Sequence, residues 1–123
     1  MIPRLATERI IKETHQMNTF DEYQVLATKV PLSLRNNRER IELPVLGLQQ
    51  EAGKVGALLT AASASGTFSL TPEQRCEVQD RLADLLWYAA LLCRESGIAM
   101  QDVADYSVAQ LQKRSQELDP DRR

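Results

Sequence analysis

The sequence predicts an all-α fold, an antiparallel helical bundle of four main helices. Three observations carry the prediction. Apolar residues recur at helical spacing in four separate stretches, no β-branched alternating run is long enough to make a sheet, and cap and stop residues mark the ends of most stretches. With 123 residues the chain can build one core but not two, and 26% charged against 43% hydrophobic residues is the balance of an ordinary globular domain. Residues 18–116 are read as that domain, 1–17 as an N-terminal segment with a short helix around Leu5, Ile10 and Ile11, and 117–123 as a frayed tail.

The first firm helix begins at Thr19 in TFDEYQVLATKV. Thr19 and Glu22 have capping-box spacing, Phe20, Tyr23, Leu26 and Ala27 form one stripe, and Pro31 ends the run. The next stretch, PLSLRNNRERIELP, is polar and turn-rich, with Arg35, Arg38 and Arg40 close together. It reads either as a solvated connector or as a mobile basic loop able to approach phosphates.

Pro44, a good first-turn residue, opens the second helix, which runs through PVLGLQQEAGKVGALLTAASAS and fades before Gly66. The third opens at Thr71-Pro72, with Gln74 completing a capping-box spacing, and stops at Gly97. Its core stripe is Val78, Leu82, Leu85, Leu86, Ala89 and Cys93. A last helix from Met100 to Gln116 is expected to turn Val103, Ala104, Val108 and Leu111 inward.

Charge and composition exclude some classes of function. A net charge of −2 gives no basic face for nucleic acid, and no apolar run reaches the roughly 20 residues of a membrane span. The start, MIPRLATERIIKE, lacks the apolar core of a secretory signal, so the cytoplasm is the expected location. Cys76 and Cys93 lie on one helix about 25 Å apart, too far to bridge, and with a single histidine, His15, there is no cysteine–histidine metal set. His15 is read as a surface residue.

The carboxylates are more informative. On the second helix Leu48, Ala52, Val55, Leu58, Leu59 and Ala62 share a side, and Glu51 falls inside that apolar arc. An ionised carboxylate there costs several kcal/mol unless a cation meets it. On the third helix Glu73, Glu77, Asp80 and Asp84 fall within about 60° of one another, with Arg81 and Tyr88 at the edge. Asp84, beside Leu85, Leu86 and Trp87, joins Glu51 as a candidate for a polar site inside the bundle.

These residues carry a resemblance. GLQQEAGKVGALL followed by DRLADLLWYAALLCRESGIAMQDVADYSVAQLQKR resembles the MazG-like all-α nucleoside triphosphate pyrophosphohydrolases, over roughly residues 19–115. The resemblance implies hydrolysis of a nucleoside triphosphate to its monophosphate and pyrophosphate, in nucleotide-pool house-cleaning. Such proteins carry E-x-x-E on one helix and E-x-x-D on the next, and these four acids hold magnesium against the phosphates.

Laid on this chain, the first pair falls on Glu51 and Lys54 and the second on Arg81 and Asp84, so two of four metal-ligand positions are basic. Gln50 stands where an acid is often found, and Ser107 and Gln110 stand where an asparagine and a lysine would touch phosphate. Magnesium is therefore the implied cofactor only if the chain is active; a non-catalytic nucleotide-binding or protein-interaction descendant is the alternative.

Four arrangements follow from these substitutions. Lys54 and Arg81 could replace the metal as a salt-bridge cluster, or they could grip nucleotide phosphates directly. Glu51, Glu77, Asp80 and Asp84 could form a shifted acidic set for one metal, or the two basic residues could simply point outward. The resemblance also implies a homo-oligomer, dimer or tetramer, with Trp87 and Tyr88 read either as interface aromatics or as core.

Overall fold

A computed structural model of the protein describes residues 19–118, which form four helices and no strand. They are α1 (Phe20–Ala27), α2 (Glu39–Ala62), α3 (Pro72–Glu95) and α4 (Met100–Leu118). The expected short N-terminal helix, His15 and most of the expected frayed tail lie outside the described residues, although Glu117 and Leu118 still belong to α4.

The caps form largely as their residues dictate. Thr19 Oγ1 accepts a hydrogen bond from Glu22 N, opening α1. Thr71 and Gln74 form a reciprocal capping box with Pro72 just inside, opening α3. Gly97, at φ +68°, closes α3: its N–H donates to Arg94 O and that of Ile98 to Cys93 O, the pairing of a Schellman cap.

The start of α2 differs from expectation. It begins at Glu39, five residues before Pro44, and Pro44 lies inside the helix, fully buried. Asn36 Oδ1 accepts from Glu39 N, and Arg35–Glu39 and Arg38–Glu42 form (i, i+4) pairs that wind the preceding turn. The stretch read as a connector is thus partly helical. Glu39 is 4% exposed, its Oε1 accepting from Arg35 Nε at 2.7 Å and its Oε2 from Arg35 N at 3.2 Å. Those two hydrogen bonds hold its carboxyl below the usual carboxylate range against the opposing effect of burial.

The pairing of α2 with α3 is the most extensive in the fold; α1 packs on α3 and α4, and α4 meets only α1 and α3 among the described helices. The core lies where α1, the C-terminal half of α3 and the start of α4 converge: Ala27, Trp87, Tyr88, Ala90, Leu91 and Met100. Trp87 donates Nε1–H to Ala27 O, and its ring centroid stands 5.1 Å from that of Tyr88. Both aromatics are buried within the chain, as core. Gln24 joins α1 to the α3–α4 turn, donating to Ile98 O and accepting from Met100 N.

The inward faces of α3 and α4 differ from expectation. In the stripe predicted as the core of α3, Leu82 is 50% and Leu86 37% exposed, while Val78, Leu85, Ala89 and Cys93 are half-buried. The face turned inward carries Asp84, Trp87, Tyr88 and Leu91, because the two large aromatics fill the space against α1 and α2. On α4, Val103, Val108 and Leu111 are exposed and Ala104 is half-buried. The eight residues of α1 cover only the opening turns of the longer α4.

Candidate functional site

Gly47 and Glu51 lie one turn apart on the face of α2 that meets α3, and Asp84 and Tyr88 one turn apart on α3. The Tyr88 ring lies against the backbone of Gly47, where an added Cβ would come within 2.6 Å of Cε2 and 2.7 Å of Cε1. This close approach draws the two helices together beside Glu51.

Glu51 is 3% exposed. Its Oε2 accepts from Arg81 Nη1 at 3.3 Å, and its Oε1 stands 3.6 Å from Lys54 Nζ. Each carboxylate oxygen therefore faces a cation. The two cations are not equivalent: the Arg81 side chain is 21% exposed and that of Lys54 51%. The arginine pair is the buried one, whose loss would leave an uncompensated charge, whereas a half-exposed lysine pair contributes about 1 kcal/mol or less. Arg81 also reaches outward, with Nη2 3.9 Å from Glu77 Oε1.

Asp84, 7% exposed, has its pKa raised, first by burial and then by the negative charge of Glu51, with Arg81 pulling the other way and Asp80 adding to the rise. The Tyr23 hydroxyl is pushed up to about 12 by burial and then by Asp84. That of Tyr88 is raised by burial, then by Asp84 and Glu51. The site thus gathers two carboxylates, two cations and two phenols from three helices.

The structure brings Glu51, Asp84, Arg81 and Lys54 together. Arg81 is turned largely inward, contrary to the outward arrangement, while Lys54 is at the rim. Among the described residues Glu77 meets the cluster through the outer edge of Arg81, and Asp80 is exposed. With Glu73 and Cys76, these acids line a shallow open pocket of about 460 Å³. Gln50 is exposed, and Ser107 and Gln110 sit on α4, which does not touch α2 among the described residues. Tyr23 was not singled out as a site residue in the sequence; its one signal is a polar tip in an otherwise apolar stripe.

Magnesium requires several oxygen donors converging on one point. Both oxygens of Glu51 face cations, and among the described residues no three Asp, Glu, His or Cys side chains converge as a metal-holding group. The side chains as arranged do not fit the ion. The cluster can instead hold charge in balance without a metal, with Lys54 at the rim open to an anion. Compared with protein-family models, curated proteins and solved structures, the chain matches none.

Proposed function

We propose that this chain is a MazG-like nucleoside triphosphate pyrophosphohydrolase whose metal site has been rebuilt as an ion-pair cluster, impairing hydrolysis to monophosphate and pyrophosphate. The observation that carries the reading is the buried Glu51 carboxylate, held by Arg81 on one oxygen and Lys54 on the other. A fixed guanidinium and ammonium at those places repel a divalent cation and occupy the donors it would need. The family resemblance supplies the reaction and the substrate class, and the cytoplasm is the location that goes with them. Lys54, half exposed beside the buried carboxylate, favours a second reading in which nucleotide phosphates bind without being cleaved.

The proposal includes an antiparallel bundle completed by a second copy of the chain. Ile41, Val45 and Ala52 on α2 and Leu82 and Leu86 on α3 are exposed at heptad-like spacings. Two helices of 24 residues are about 36 Å long and, side by side, present roughly 700 Å². Two such faces bury about 1,400 Å², which is the area of a standard stable interface.

The test is pyrophosphate release from canonical and modified nucleoside triphosphates, with and without magnesium or manganese, by the parent and by Lys54→Glu/Arg81→Glu. The expected result is negligible metal-dependent turnover in the parent and its appearance in the folded double variant. Brisk metal-dependent turnover by the parent overturns the ion-pair reading. Phosphate-dependent stabilisation of the parent without turnover supports the binding reading.

A further inference from the structure

Of Arg35, Arg38 and Arg40, which lie around the start of α2, two have partners close in sequence. Arg35 holds Glu39, and Arg38 lies 3.6 Å from Glu42. Arg40 has Pro44 four residues on, and among the described residues it makes no ion pair. It borders a cavity of about 310 Å³ between the α1–α2 segment and the C-terminal half of α3. Val30, Leu32, Leu34 and Leu91 wall the cavity, and Arg94 of α3 lines it as well.

Arg94 directs Nε and Nη2 at Glu95 and Nη1 at Thr28 O, which leaves two of its five N–H donors for another acceptor. The wall is preformed. The buried Glu39 carboxylate bonds both the side chain and the backbone of Arg35, fixing the chain between Leu34 and Arg40. A cavity of this size is at the small end of ligand sites, and an apolar wall with a few convergent polar donors is their usual chemistry.

We propose that this cavity binds a small organic anion, its apolar body against Val30, Leu32, Leu34 and Leu91 and its carboxylate or phosphate between Arg40 and Arg94. Charge-assisted hydrogen bonds from guanidinium fix the head group, and the aliphatic wall selects against a bare inorganic ion. The site is separate from the Glu51 cluster, and the proposal does not rest on the reading of that cluster.

The experiment is amide NMR of the full chain titrated with hexanoate, phenyl phosphate, hexanol and inorganic phosphate. Saturable shifts at Thr28, Val30, Leu34 and Arg40 are expected for at least one of the two organic anions, and which of them binds more tightly identifies the head group. Hexanol and inorganic phosphate should bind at least about tenfold more weakly. Arg40→Gln should weaken the organic anion by about tenfold, while Arg38→Gln, the same charge change on a paired surface arginine, should leave it unchanged. No saturable shift below ~10 mM, equal binding of inorganic phosphate, or equal weakening by both variants overturns the proposal.

Discussion

Replacing Gly47 by alanine tests the helix contact on which the candidate site is built. The new Cβ would press on the Tyr88 ring at Cζ and lie 2.6 and 2.7 Å from Cε2 and Cε1, where ordinary contact begins at 3.4 Å. The ring must retreat by about 1 Å at Cζ, and it is 9% exposed with Trp87 beside it. Overpacking of this kind costs about 1–3 kcal/mol, and the geometry places Gly47 towards the upper end. Alanine recovers about 0.8–1 kcal/mol of helix propensity. The net expectation is a loss of about 2 kcal/mol, or roughly 8 °C in Tm for a domain of this length.

Gly53→Ala is the internal reference. Its Cβ meets nothing within 4 Å, so the same substitution one and a half turns along the same helix should raise Tm by a few degrees, about 0.5–1 kcal/mol. Thermal unfolding followed by circular dichroism reads both. A third variant, Tyr88→Leu, should remove most of the Gly47→Ala penalty in a double-mutant cycle. If Gly47→Ala and Gly53→Ala both stabilise, the close approach of α2 to Tyr88 is wrong, and so is the register that brings Glu51 to Arg81.

Three further outcomes are expected. Asp84→Asn should raise Tm at neutral pH, because the raised pKa of Asp84 marks a charged form that the fold disfavours; the gain should vanish below the ordinary value of 3.8, where the acid is neutral in both states. Glu39→Gln should behave in the opposite sense, because its lowered pKa contributes stability above the ordinary value of 4.5; its deficit at neutral pH should close as pH falls below that value in a series of melts. If the proposed dimer forms, Leu82→Glu with Leu86→Glu should reduce the mass measured by light scattering from two chains to one while leaving helicity intact, because both side chains are open within the chain.

The helices were legible wherever local chemistry decides them. Thr19, Thr71 and Gly97 satisfy backbone groups within a few residues of themselves, so their spacing alone locates the ends they cap. The start of α2 was misread because Pro44 is a good opening residue in isolation; the pairs Arg35–Glu39 and Arg38–Glu42 are what wind the earlier turn. The inward side of α3 was misread for a different reason. From Leu85 to Cys93 that helix is apolar on every side, and periodicity cannot choose between the face of Leu82 and that of Trp87 when both can be covered. The buried state of Glu51 was legible because a carboxylate inside an apolar arc demands a cation, but the geometry that gives both cations to Glu51 depends on how α2 sits against α3.

The unequal treatment of the two carboxylates is the feature that most needs a cause. Glu51 has a guanidinium and an ammonium; Asp84, nearly as buried, has no ion pair among the described residues and has its pKa pushed up. A cluster selected for stability alone would not keep such an acid, since an apolar residue of similar volume is often as good or better there. Asp84 also raises the pKa of two neighbouring phenols, so its charge works against ionisation at Tyr23 and Tyr88 as well. Under the proposed descent from a four-acid metal site, an inherited ligand position would account for this cost. In such a site Asp84 would share a divalent ion with Glu51, and with Lys54 and Arg81 in two of those places both cations would pair with Glu51 while Arg81 offsets the charge of Asp84 only in part. On that account the acid with no ion pair among the described residues and the doubly paired one are two halves of a single substitution, which is why the charge-reversal pair, rather than either single change, is the informative variant.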